Sequence, residues 1–137
     1  MSITIDQVEG KVPVTILAIQ GDLDASNYRQ AIAKADEAYS AGARNLLVDM
    51  SEMGFMASSG IVALHSMVLL FRGEQRPDPE HGWEAFHAIS RDQDTGVQKN
   101  VKLFNPQPRV IRTLEVTGLK TFFEIFTDRE AAIASFN

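Results

Sequence analysis

Two short runs constrain this chain more than any other feature. "VTILAI" lies within Pro13 to Gln20, and "NLLVDM" spans Asn45 to Met50. Both are continuously apolar rather than alternating, which is the pattern of a strand covered on both faces. Between them "DLDASNYRQAIAKADEAYSAGA" places Tyr28, Ile32, Ala35 and Tyr39 at i, i+4, i+7 and i+11, one face of a helix. Asp24 or Ser26 is expected to cap its start and Gly42 to close it. A strand, a helix and a second strand in this order predict parallel neighbours with helical cover.

The same rhythm extends in both directions. Ser2 to Val8 reads as a first strand and Gly10-Lys11 as a turn, so the first two strands are expected to form an antiparallel edge pair. A helix is predicted from Ser58 or Ser59 to about Arg72, then a strand at Val101 to Asn105. "PQPRVIRTLEVTGL" has Pro108 near a helix start and Gly118 just past its end, with Val110, Ile111 and Leu114 as the buried face. "FFEIF", Phe122 to Phe126, reads as the last strand. Thr127-Asp128-Arg129-Glu130 is a capping-box sequence before a short final helix. The fold class is therefore α/β, with a mixed, mostly parallel sheet of four to five strands and about four helices.

One stretch breaks the rhythm. Gly73 to Asn100 is a long insert between the second helix and the next strand, rich in charge, with one apolar island, "WEAFHAI". It is expected to be a packed flap with its own short helix, or else a partner or homodimer contact. At 137 residues the chain reads as one domain, 1–137, with 73–100 inside it. With 45% apolar and 23% charged residues, disorder is excluded for the bulk of it.

Composition also removes function classes. There is no cysteine, so disulfides, thiolate metal sites and cysteine catalysis are excluded. The net charge of −5 offers no basic footprint for nucleic acid. No signal peptide and no membrane insertion are expected, and a cytoplasmic location is the default. No cofactor and no metal site are expected, since His65, His81 and His87 do not make a ligand set.

The most informative stretch is Met56-Ala57-Ser58-Ser59-Gly60. A hydrolase elbow needs G-x-S-x-G. Around Ser58 the first glycine is Met56, around Ser59 neither is present, and no histidine offers a convincing base. A small serine hydrolase is thus a remote alternative. A nucleotide phosphate loop is excluded because Gly54 and Gly60 are misspaced and Ile61 stands where lysine is required. What remains is a helix start with two serines. One can serve as a cap. The free amides and the positive end of the helix would stabilise a phosphate on the other. The helix that follows, "IVALHSMVLLF", is apolar almost all round, so it is either sandwiched or part of a docking face.

These residues together resemble the STAS domain, and within it the bacterial anti-sigma factor antagonists. "GDLDASNY" looks like the family's G-x-L-D before a helix. "NLLVDMSEMGFMASSGI" is similar to its strand, Asp-x-Ser segment and D-S-S-G loop. "LFNPQPRVIRTLEVTGL" is similar to its N-P-x-x-V-x-x-x-L-x-x-T-G-L ending. The resemblance implies a non-enzymatic regulatory module that binds a serine-kinase anti-sigma factor. It also implies phosphorylation at Ser58, reversed by a serine phosphatase. Ala57, Ser59, Gly60, Ile61, Asp22 and Asp24 would form the switch loop and docking surface. Two features depart from the family: Ala57 replaces the usual aspartate, and the insert is long. The alternative is a STAS scaffold without phosphoregulation, in a signalling assembly or beside a membrane transporter.

Overall fold

The computed structural model describes residues 2–72 and 98–136. The strands are β1 (Ser2–Glu9), β2 (Pro13–Gln20), β3 (Leu46–Asp49), β4 (Val101–Phe104) and β5 (Ile125–Phe126). The helices are α1 (Tyr28–Ser40), α2 (Ser58–Phe71), α3 (Pro108–Val116) and α4 (Arg129–Ala134). All five strands form one sheet in the order β1-β2-β3-β4-β5. β1 runs antiparallel to β2, with Ser2 opposite Gln20 and Glu9 opposite Pro13. The remaining pairs are parallel. This is the mixed, mostly parallel sheet that the sequence predicts.

The strand order explains the layers. The parallel strands advance one place at a time in one direction across the sheet. Right-handed crossovers then put every connecting helix on the same face. The core agrees: Leu17, Ile19, Leu46, Val48, Val101 and Leu103 pack with Ile32 of α1, Leu64 and Met67 of α2, and Val110 and Leu114 of α3. The opposite face carries Val14, Ile16 and Leu47, which pack with Ala132 of α4 and with Phe136. Both faces of β2 and β3 are therefore covered, which is why these runs are continuously apolar. Burying each such side chain stabilises the fold by roughly 1.5–3 kcal/mol.

Lys102 occupies a buried position on the α4 face. Its aliphatic stem lies in the core, and its Nζ donates to the Ser135 carbonyl (3.1 Å) and Ser135 Oγ (3.0 Å). It also pairs with Glu124 at 3.4 Å and sits 4.7 Å from the Phe136 ring centre. One lysine thus ties the end of α4 to β4.

Three local readings are corrected. Of Phe122 to Phe126, only Ile125–Phe126 is strand. Leu119–Thr121 forms a 3-10 turn after Gly118, whose φ of 79° ends α3, and Phe122 and Phe123 follow it into the core. An apolar run satisfies a buried turn as well as a strand. At α4 the cap is Asp128, whose carboxylate accepts the Glu130 amide (3.1 Å), rather than Thr127. Ile111 is only half-buried, while Val110 and Leu114 supply the buried stripe of α3. The insert lies outside the described residues up to position 97. Gln98 is buried and its amide donates to the Phe122 carbonyl, and the Asn100 carbonyl accepts the Leu46 amide.

Candidate functional site

Parallel strands gather their following loops at one edge of the sheet, the usual place for a site in such folds. Here the loops after β2 and β3 run side by side beyond the sheet. The Gly21 amide donates to the Glu52 carbonyl (3.0 Å), the Leu23 amide to Phe55 (3.0 Å) and the Ala57 amide back to Leu23 (2.9 Å). Leu23 and Met56 form a parallel bridge. Asp22 and Asp24 therefore flank the residue that is bonded to Ala57, immediately before Ser58.

Two glycines permit this approach. A Cβ on Gly54 would stand 3.2 Å from Asp22 Oδ1. One on Gly60 would overlap Met56 Cγ and lie 3.1 Å from Leu23 Cδ2. Gly60 and Ile61 are buried, so they seat the helix start on Leu23 and offer no docking surface, contrary to the expectation for them. Ala57 and Ser59 are half-buried, and Ser58 is exposed.

The two loops share a device. Asp24 Oδ1 accepts from the Ser26 amide (2.9 Å) and hydroxyl (2.6 Å), and Asp49 Oδ1 accepts from the Ser51 amide (3.0 Å) and hydroxyl (2.6 Å). The Ser26 hydroxyl, and then its amide, hold the Asp24 carboxyl below the usual aspartate value. Asn27 completes the first turn reciprocally: its Oδ1 accepts the Asp24 amide (2.9 Å) and its Nδ2 donates to the Asp22 carbonyl (2.8 Å). The Asp24 carbonyl takes the Tyr28 amide at 3.0 Å. Asp24 and Ser26 thus both close the entry to α1, although the residue that immediately precedes the helix is Asn27.

The start of α2 is different. The residue before it is Ala57, at φ −79° and ψ 174°, and no side chain caps the helix. Neither serine plays the capping role that the sequence suggests. The bridge at Leu23 holds Met56 and Ala57 extended, which puts Ser58 already inside the first turn. Among the described residues the Ser58 and Ser59 amides have no hydrogen-bond partner, and the Gly60 amide donates to the Ala57 carbonyl (2.9 Å). Ser59 Oγ is buried and makes no hydrogen bond. The first turn holds no acidic residue. Chemically this is a long helix with open amides and an exposed hydroxyl at its positive end, a setting that favours an anion. No base is hydrogen-bonded to either serine among the described residues, so the geometry offers no nucleophile.

Two neighbours were not singled out from the sequence. Gln107 Nε2 donates to the Ser51 carbonyl (2.8 Å), which ties the loop after β4 to the loop before α2. The Arg109 guanidinium lies 5.5 Å from the Phe55 ring centre. Neither had a signal in the sequence beyond its place in a loop or at a helix start. Among the described residues no group of three histidine or carboxylate side chains could hold a metal, and no helix is long and apolar enough to cross a membrane.

Comparison with known proteins bears on this geometry. A family model described as the STAS domain matches residues 6–75, just over half of the chain. A Bordetella bronchiseptica protein, provisionally named anti-sigma factor antagonist BtrV, is 24% identical over 136 residues, covering 99% of this chain and 95% of that protein. The fold is similar to that of the anti-sigma factor antagonist SpoIIAA in its unphosphorylated form. The TM-score is 0.59 at 21% identity, covering 96% of this chain and 93% of that one. It is also similar to the Bacillus cell fate determinant SpoIIAA in its phosphorylated form, with a TM-score of 0.52 at 19% identity and 96% of each chain covered.

Proposed function

The chain belongs to the STAS domain family, and from that premise we propose that it is an anti-sigma factor antagonist switched by phosphorylation of Ser58. It acts by binding and performs no catalysis of its own. Its partner is an anti-sigma factor of serine-kinase type, in the cytoplasm, and a serine phosphatase resets it. The name of the Bordetella relative supports the class of partner. The observation that carries the switch is the start of α2, where an exposed Ser58 hydroxyl stands on amides that no side chain caps. A phosphate there adds about −1.5 to −2 charges and finds hydrogen-bond donors already in place. The unmodified surface docks the partner, and the added charge releases it.

A second reading has one observation in its favour. Ala57 supplies no carboxylate beside the acceptor hydroxyl, which suits a scaffold that is never phosphorylated. Phosphosite mapping after incubation with a kinase-type anti-sigma factor and ATP separates the two. The switch predicts one phosphate, on Ser58. An unmodified chain that still binds its partner favours the scaffold.

A further inference from the structure

We infer that the groove between the β3–α2 loop and α3 docks an acidic segment of a partner protein that carries an apolar side chain at its centre. The inference deepens the proposed function and rests on its premise that the chain works by binding a protein. The groove has a volume of about 440 Å³ and is lined by Phe55, Arg109, Arg112, Thr113, Val116 and Thr117. The helical lining residues follow one stripe of α3 at spacings of three and four, opposite the buried stripe of Val110 and Leu114.

Three features identify the occupant. Val116 is 79% exposed, and it and Ile5 are the exposed large apolar residues among those described. Such a side chain at the mouth of a groove floored by an aromatic ring suits an apolar anchor. Second, neither guanidinium is paired with a carboxylate among the described residues, and the neighbouring Glu115 is engaged with Lys120 at 3.7 Å. Two open cations on one stripe call for an anionic partner. Third, the chain as a whole carries −5, which opposes approach of a nucleic acid over longer range and leaves an acidic protein segment, a short-range ligand, as the better fit. The groove also adjoins the switch. Phe55 stands three residues before Ser58, and its carbonyl holds the Leu23 amide. A phosphate on Ser58 would add negative charge beside the groove and repel the same segment.

The test uses the full chain, labelled for NMR, and two synthetic hexapeptides. One has four glutamates around a leucine–phenylalanine pair, and the other has lysines in their place. The acidic peptide is expected to shift the amides of Phe55, Arg112 and Val116 saturably, and the basic peptide is not. Arg112→Glu and Val116→Asp, both on exposed positions, should each weaken binding about tenfold with unchanged thermal melting. Absence of shifts, shifts elsewhere, or equal binding by the basic peptide overturns the inference. So does a self-association, seen by sedimentation, that Arg112→Glu abolishes. If Ser58 is phosphorylated by a kinase-type anti-sigma factor whose binding ignores Arg112→Glu, the groove fails while the proposed function stands. If the groove binds the peptide but Ser58 is never modified, the switch fails instead.

Discussion

The helices α1 and α2 begin within one hydrogen bond of each other, and they begin in opposite ways. At α1 every polar side chain of the entry is spent on structure: Asp24 holds Ser26, Asn27 holds the Asp24 amide, and the Asp22 carbonyl is taken by Asn27. At α2 nothing is spent. Ala57 has no side chain to cap with, Ser58 points to solvent and Ser59 Oγ is buried without a partner. A fully capped start is a fixed part of the scaffold. An uncapped one keeps its affinity for an anion, and with Ser58 on it that affinity can be called on by phosphorylation. The contrast locates the switch in the second loop, with the first as its rigid neighbour.

The comparison breaks most severely at the residue the two starts share. Leu23 is fully buried, with its backbone bonded to Phe55 and Ala57. Leu23→Ala should destabilise the fold by about 2–5 kcal/mol, read from urea unfolding. Gly60→Ala acts on the same contact from the α2 side. Its new Cβ must displace Met56 or Leu23, and a loss of about 1–3 kcal/mol is expected in the same assay. A loss near zero would mean that Met56 moves aside freely and that Gly60 does not fix the helix start.

The next substitution erases the contrast rather than the fold. The Ala57 backbone is already extended, as a capping residue requires. Ala57→Asp should therefore cap α2 and raise stability by about 1 kcal/mol. No gain would show that the open amides are satisfied in another way. The smallest effect lies at α1. Ser26→Ala removes the main cause of the lowered Asp24 pKa, so the carboxyl should titrate closer to its ordinary value in a carbon-detected NMR titration. The sign follows from linkage. A depressed folded-state pKa contributes stability above the unfolded value, and that contribution is lost as pH falls through the folded one. The parent should thus retain the contribution from Asp24 to lower pH than the variant does.

Much of this was legible in the sequence, for identifiable reasons. Pro13–Gln20 and the start of α2 at Ser58 follow from where continuous apolar runs begin and end. The last strand was not, because Phe122 and Phe123 bury themselves from a turn as well as they could from a strand. The site was half legible. The serines, Asp22 and Asp24 do converge on one edge, and Gly60 is indispensable there. The absence of a serine cap was not foreseeable, because the entry to α2 is set by the bridge between Leu23 and Met56, a contact over more than thirty residues. Serine chemistry alone favours capping, and tertiary geometry overrides it. The groove was hidden for a related reason. Arg109, Arg112 and Val116 share a helix stripe in the sequence, but Phe55 joins them only through the fold.

The central claim is that charge at the open start of α2 controls docking. The most direct measurement is calorimetric binding of a kinase-type anti-sigma factor to the parent, Ser58→Ala and Ser58→Asp chains at one ionic strength. The account predicts that Ser58→Ala binds like the parent and that Ser58→Asp binds at least about tenfold more weakly. Equal affinity for all three would contradict it.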